Sequence, residues 1–312
     1  MSLGSGVRGP FRPPILLGAT VWAALALRSF APRGHLGIIE VLFLLGPWVV
    51  VPLGADLVRG VGTSGTSAVR DTVLFTAALL TTASFWPDNR TVAAWFAASW
   101  LLVCAGFLGD GLRRFVVAGT KSFSQFCFAV GEGYLLVGGA WLVASRAGLE
   151  VLAFHEPIVL LTAVHFHFAG FASAVLAGLV DEQFQASKWK TLFRAALLAV
   201  VCGPAVLGVA FLLGPKVKLV AALVIAFGQI GLAIGMAHVG LAAKGASGRW
   251  LLFVASASVA AGMVLAALWA VGEYPLQAFV NIRQMAEFHG VLNALGFVLC
   301  GLLGWRLVNS EQ

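Results

Sequence analysis

"PIVLLTAVHFHFAGFASAVLAGLV", residues 157–180, carries no Asp, Glu, Lys or Arg over its whole length. A helix rises about 1.5 Å per residue, and the hydrocarbon core of a bilayer is about 30 Å thick. A run this long and apolar reads as a membrane-spanning helix. Inside lipid the backbone must satisfy its own hydrogen bonds, which makes helices the default spanning element.

The same pattern recurs along the chain. Of 312 residues 60% are apolar and 11% are charged, against about 25% charged in soluble domains. The expectation is an all-α fold, a polytopic transmembrane helix bundle of about ten spans, with nine as the alternative. The spans lie near 15–30, 36–53, 70–86, 91–109, 123–145, 157–180, 191–213, 217–240, 249–271 and 286–307, in a single integral membrane domain over 1–312. Pro, Gly or charge marks most connections, as in "APRGH", "PDNR", "GDGLRR", "DEQFQASKWK", "GPKVK" and "AAKGASGR".

Lys and Arg number 20 against 13 Asp and Glu, a net charge of +7. The basic residues sit between apolar blocks, which favours the lipid bilayer as partner and excludes nucleic acid. Alternate loops divide them unequally. One side holds Arg8, Arg12, Arg59, Arg70, Arg113, Arg114, Lys121, Lys188, Lys190, Arg194, Lys244, Arg249 and Arg306. The other holds Arg28, Arg33, Arg90, Arg146, Lys216, Lys218 and Arg283. The positive-inside rule then puts both termini in the cytoplasm of a multi-pass cell-membrane protein. "FRPPILLGATVWAALAL" has the look of a signal peptide, but an uncleaved first helix is the favoured reading. Cys104, Cys127, Cys202 and Cys300 fall inside apolar blocks without CxxC spacing and read as inert thiols. Gly170, Ala174 and Gly178, like Gly231 and Gly235, have the small-xxx-small spacing that lets helices approach.

A charged group at mid-bilayer costs about 2.5–3.5 kcal/mol on insertion scales, so an ionisable residue deep in a span is a candidate site. Glu132 sits nine residues past Phe123, with Gln125 on the same face. His165 and His167 lie within the sixth span. His289 and Asn293 are four apart and stack on one helix face. Glu40, Arg283 and Gln229 complete the supporting polar set. With both termini inside, this set fills the outer half of the bilayer and suits a cavity open to the extracytoplasmic side.

On a regular helix His165 and His167 are about 200° apart around the axis. They cannot both face one ion unless the helix is irregular. His167 shares its face with Gly170 and Ala174 and reads as the packing side; His165 reads as the cavity side. Against this stands the plain alternative that each histidine is an interhelical hydrogen-bond partner contributing about 0.6–2 kcal/mol. His165, His167, His289 and Glu132 are also candidate ligands for a divalent metal, zinc or iron. His155 and Glu156 read as solvated, His238 as a helix-end group and His35 as interfacial.

Three stretches together resemble the YndJ-like family of bacterial polytopic membrane proteins: "GEGYLLVGGAWLVASRAG" at 131–148, "IVLLTAVHFHFAGF" at 158–171 and "RQMAEFHGVLNALGF" at 283–297. "VLFLLGPWVVVPL" and "FWPDNRTVAAWFAASWLL" are compatible with it, whereas 191–280 carries little distinctive pattern. The resemblance implies an all-helical membrane protein and carries over Glu132, His165, His167, His289, Asn293 and Arg283. It implies no particular reaction.

Three functions remain open. The first is a membrane-embedded enzyme modifying a lipid or isoprenoid. In it Glu132 is the acid or base, His165 and His289 are proton-transfer partners or ligands, and Asn293 orients the substrate. The second is a proton-coupled transporter or small-molecule-binding module. The third is a structural or assembly factor. Walker, GxSxG, HExxH and dinucleotide signatures are absent.

Overall fold

The computed structural model describes residues 10–29, 31, 35–59, 67–118, 122–273 and 282–311. Arg8, Arg33 and Lys121, counted above for orientation, lie outside the described residues. Among the described residues no β-strand forms; the chain folds into ten continuous helical stretches. They are α1 Pro13–Ser29, α2 Ile38–Arg59, α3 Ser67–Ala83, α4 Arg90–Ala118, α5 Phe123–Ala147, α6 Ile158–Gln183, α7 Lys190–Leu213, α8 Pro215–Ala242, α9 Ala246–Glu273 and α10 Met285–Ser310. All but α1 and α3, of 17 residues each, are long and apolar enough to cross a membrane.

Local chemistry sets several helix ends. Asn89 accepts from the backbone N–H of Thr91 and Val92 at 3.0 and 3.2 Å and opens α4. Ser122 does the same for α5 through Gln125 N at 3.4 Å. Gly148, at φ 69°, adopts the left-handed conformation that closes α5. Between α7 and α8 the break falls on Gly214, at φ 104°, and the Pro215 that follows it. One helix outruns its apolar block. α4 continues through "GDGLRR" to Ala118, because a helix end that reaches the interface tolerates charge.

Two helices form the centre. Along its apolar window α2 is 78% buried and α6 67%, whereas α4 is 28% buried and faces lipid. α4 packs along α5, and α8 lies between α7 and α9. Small residues allow the close crossings expected when lipid supplies no drive for association. A Cβ at Gly170 or Gly178 would meet the α5 side chains of Tyr134 and Phe128. One at Gly235 would meet Val180 of α6. At Gly18 of α1 a Cβ would stand 2.2 Å from the carbonyl oxygen of Trp48, a backbone atom that cannot swing aside. Gly18→Ala is therefore expected to push α1 off α2 and destabilise the fold by about 1–3 kcal/mol, as overpacking does. An unchanged thermal midpoint in detergent would contradict that contact.

The regular α-ladder is interrupted in three helices that run in the same direction. α2 is π-helical at Gly46–Val50, α6 at Phe166–Ala172, and α10 at Met285–Gly290 and Leu292–Leu299. The π segments of α2 and α10 both pack against that of α6. Such bulges re-aim side chains and concentrate at functional sites. Two of them coincide with the histidine-bearing blocks of the sequence.

Candidate functional site

The polar residues gather at three places rather than one. At the bundle end where α1, α3, α5, α7 and α9 begin, carboxylates pair with arginines from other segments of the chain. Asp56 of α2 takes Arg12 at 2.8 Å, and Arg12 also binds Asp71. Asp110 of α4 takes Arg59 at 2.6 Å, and Asp181 of α6 takes Arg194 at 2.7 Å. Glu132, 1% exposed, belongs to this set. Arg114 Nε donates to its Oε2 at 3.3 Å and Arg114 Nη2 to its Oε1 at 3.4 Å. Arg114 Nη1 reaches Gln125 Oε1 at 3.3 Å. Gln125 and Glu132 do share a face, and both accept from Arg114. The structure pairs Glu132 with Arg114 of α4 and not with the histidines. The cause is the extra length of α4, which delivers Arg114 to it.

The second place is the bundle centre. His167 is completely buried. Its Nδ1–H donates to Ala163 O at 2.8 Å, since a carbonyl can only accept. Its Nε2 therefore holds a lone pair, which accepts the indole N–H of Trp100 at 2.8 Å. Phe43 packs edge-on at a centroid distance of 5.2 Å, and Gly46 and Gly138 leave room for the ring. Every polar atom of His167 is satisfied, so its role is to join α2, α4, α5 and α6.

The third place lies toward the opposite end, between α6, α9 and α10. His289 Nδ1–H donates to Gly262 O of α9 at 2.9 Å. Asn293 Nδ2 donates to His289 O at 2.8 Å and packs on Gly262. His165, exposed, donates its Nδ1–H to Leu161 O at 2.7 Å and lies within electrostatic reach of His289. Each ring thus has the same tautomer as His167. Among the described residues, however, the Nε2 lone pairs of His165 and His289 have no hydrogen-bond donor. His165 and His167 meet different partners, as their spacing on a helix requires.

The remaining candidates are peripheral to this set. Gln229 donates to Ser173 Oγ at 3.3 Å inside the bundle, and its buried Oε1 has no partner among the described residues. Arg283 pairs with Glu287 at 2.8 Å on the surface. Glu40 sits at the start of α2, within electrostatic reach of Arg146. Exposed His155 pairs with Glu150 at 2.9 Å, and His238 packs on Phe184. The four cysteines are free. Among the described residues no three His, Cys, Asp or Glu side chains converge as a metal-ligand set. The proposed ligands divide between the three places: Glu132 at the first, His167 at the second, His165 and His289 at the third.

Sequence reasoning missed Arg114, Trp100 and the Gly262 carbonyl. In the sequence Arg114 reads only as an orientation charge. Trp100 carries no polar signal in an apolar run, and a backbone carbonyl carries none at all.

Comparison with known proteins adds the following. The family described as YndJ-like protein matches residues 41–297, a span that includes His165, His289 and Asn293. The "Uncharacterized membrane protein YndJ" of Bacillus subtilis (strain 168) is 26% identical over 182 residues, covering 57% of this chain and 32% of that protein. The chain therefore spans about a third of the length of that curated relative. No solved structure matches.

Proposed function

The chain belongs to the YndJ-like family, and from the geometry of its histidines we propose that it is a membrane-embedded enzyme acting on a lipid or isoprenoid at the His165–His289–Asn293 site. The carrying observation is a pair of histidine rings whose Nδ1–H is committed to the backbone and whose Nε2 lone pairs meet no donor among the described residues. A ring oriented in this way is a ready acceptor for a proton from a substrate hydroxyl or ammonium. Asn293, anchored to His289, is the group to orient that substrate. Glu132 has no part in the chemistry, because Arg114 holds its carboxylate. The greater number of basic residues at the Arg114 end supports a cytoplasmic location for that end in the cell membrane. The histidine site would then open toward the extracytoplasmic half.

The test is the lipid and isoprenoid profile of a strain producing the full chain. Wild type should alter the profile relative to a strain without it; His289→Gln and His165→Gln should abolish the change. Variant strains that match the wild-type strain would remove the proposal.

A second reading, proton-coupled passage of a small molecule, draws support from the π-helical interruptions in three helices, which pack together at Gly46–Val50, Phe166–Ala172 and Leu292–Leu299. Interrupted helices in transporters line substrate paths. Under it, His289→Gln would abolish pH-driven flux in proteoliposomes and leave the lipid profile as in wild type.

A further inference from the structure

The lipid-facing side of the bundle carries a groove between α3 and α4 that the histidine site does not use. Its volume is about 620 Å³. Along most of its length the walls are small or apolar, with Ala77, Leu80, Leu102 and Val103 among them. A Cβ at Gly106 would meet nothing within 4 Å, so the groove floor is open there. Around it Val69, Val73, Leu79 and Leu102 are all more than half exposed, which places hydrocarbon against this face.

The arginine-rich end of the groove is charged. Arg59, Arg70 and Asp110 line it. Arg59 is paired with Asp110 at 2.6 Å. Arg70 lies over the Phe107 ring at 5.8 Å, and its Nη2 is buried without a hydrogen-bond partner among the described residues. Two guanidinium groups therefore face one carboxylate. Among the described residues that line the mouth, guanidinium groups outnumber carboxylates by one. Arginine forks match phosphate oxygens, and basic pockets between spanning helices suit anionic headgroups.

We propose that this groove binds an anionic phospholipid, its phosphate against Arg70 and Arg59 and one acyl chain lying between α3 and α4. Both halves of that molecule are matched. The apolar walls take the chain, and the net positive mouth distinguishes an anionic from a zwitterionic headgroup. The site lies at the opposite end of the bundle from His289 and is independent of the enzymatic reading.

The experiment uses the full chain reconstituted in phosphatidylcholine bilayers containing a minority of phosphatidylglycerol. It is then extracted in mild detergent, and retained lipid per chain is counted by native mass spectrometry. Wild type should retain phosphatidylglycerol in preference to phosphatidylcholine. Arg70→Gln should lower that preference about fivefold, the factor one basic residue contributes against anionic lipid. Gly106→Leu adds bulk at the open floor, where its Cβ meets nothing within 4 Å, and should reduce retention of both lipids while the protein stays folded. Equal retention of the two lipids by wild type, or unchanged selectivity in Arg70→Gln, would overturn the proposal. So would inorganic phosphate alone raising thermal stability as much as phosphatidylglycerol does. A wild-type dimer that Gly106→Leu converts to monomer would mean that a second copy, not a lipid, covers the groove.

Discussion

His167→Ala is expected to destabilise the bundle more than any other single truncation at a histidine. The ring is fully enclosed by Trp100, Phe43 and the backbones at Gly46 and Gly138. Its removal leaves a void at the meeting of four helices, a loss of about 3–5 kcal/mol by analogy with aromatic truncations in cores. The Trp100 indole N–H would also lose its acceptor, adding about 1–3 kcal/mol. His167→Gln can keep an acceptor near Trp100 and should recover part of the loss. Unfolding titrations in mixed micelles measure both variants. If His167→Ala unfolds at the wild-type midpoint, the Trp100–His167 bond does not hold the centre together.

Arg114→Met is the second large effect. It leaves Glu132, 1% exposed, without its countercharge. Removing one partner of a buried ion pair costs about 3–5 kcal/mol, because the other charge remains desolvated. Replacing both, as in Arg114→Met with Glu132→Leu, should restore most of the stability, since two apolar groups need no pairing. The double variant should also keep the lipid-profile activity proposed for the histidine site. A double variant that is stable but inactive would return Glu132 to the chemistry. An Arg114→Met protein as stable as wild type would show that the pair carries no structural weight.

The two variants also show how far the sequence could be read. Glu132 stood out because a carboxylate deep in an apolar run needs a reason to be there. Its reason, Arg114, lay in "GDGLRR", where the charges mimic a loop; only the continuation of α4 to Ala118 brings the guanidinium within reach. The His165–His167 spacing required either divergent rings or an irregular helix, and both are present. Which carbonyl or indole each ring meets depended on helices as distant in sequence as Trp100, 67 residues from His167. The π segments left no trace in composition, since a one-residue bulge changes facing direction without changing hydrophobicity.

What the sequence determined by itself is the solvent and the element type. A bilayer admits only long apolar segments with internally satisfied backbones, so some twenty consecutive residues suffice to announce each helix. It also marked which polar side chains stand out of place in oil. Tertiary structure alone decided how those side chains are satisfied: Glu132 by an arginine on α4, His167 by a tryptophan, His289 by a carbonyl on α9. Burial is a property of one helix against its solvent, and a local pattern encodes it. A hydrogen-bond partner is a property of two helices and their crossing, which no local pattern contains.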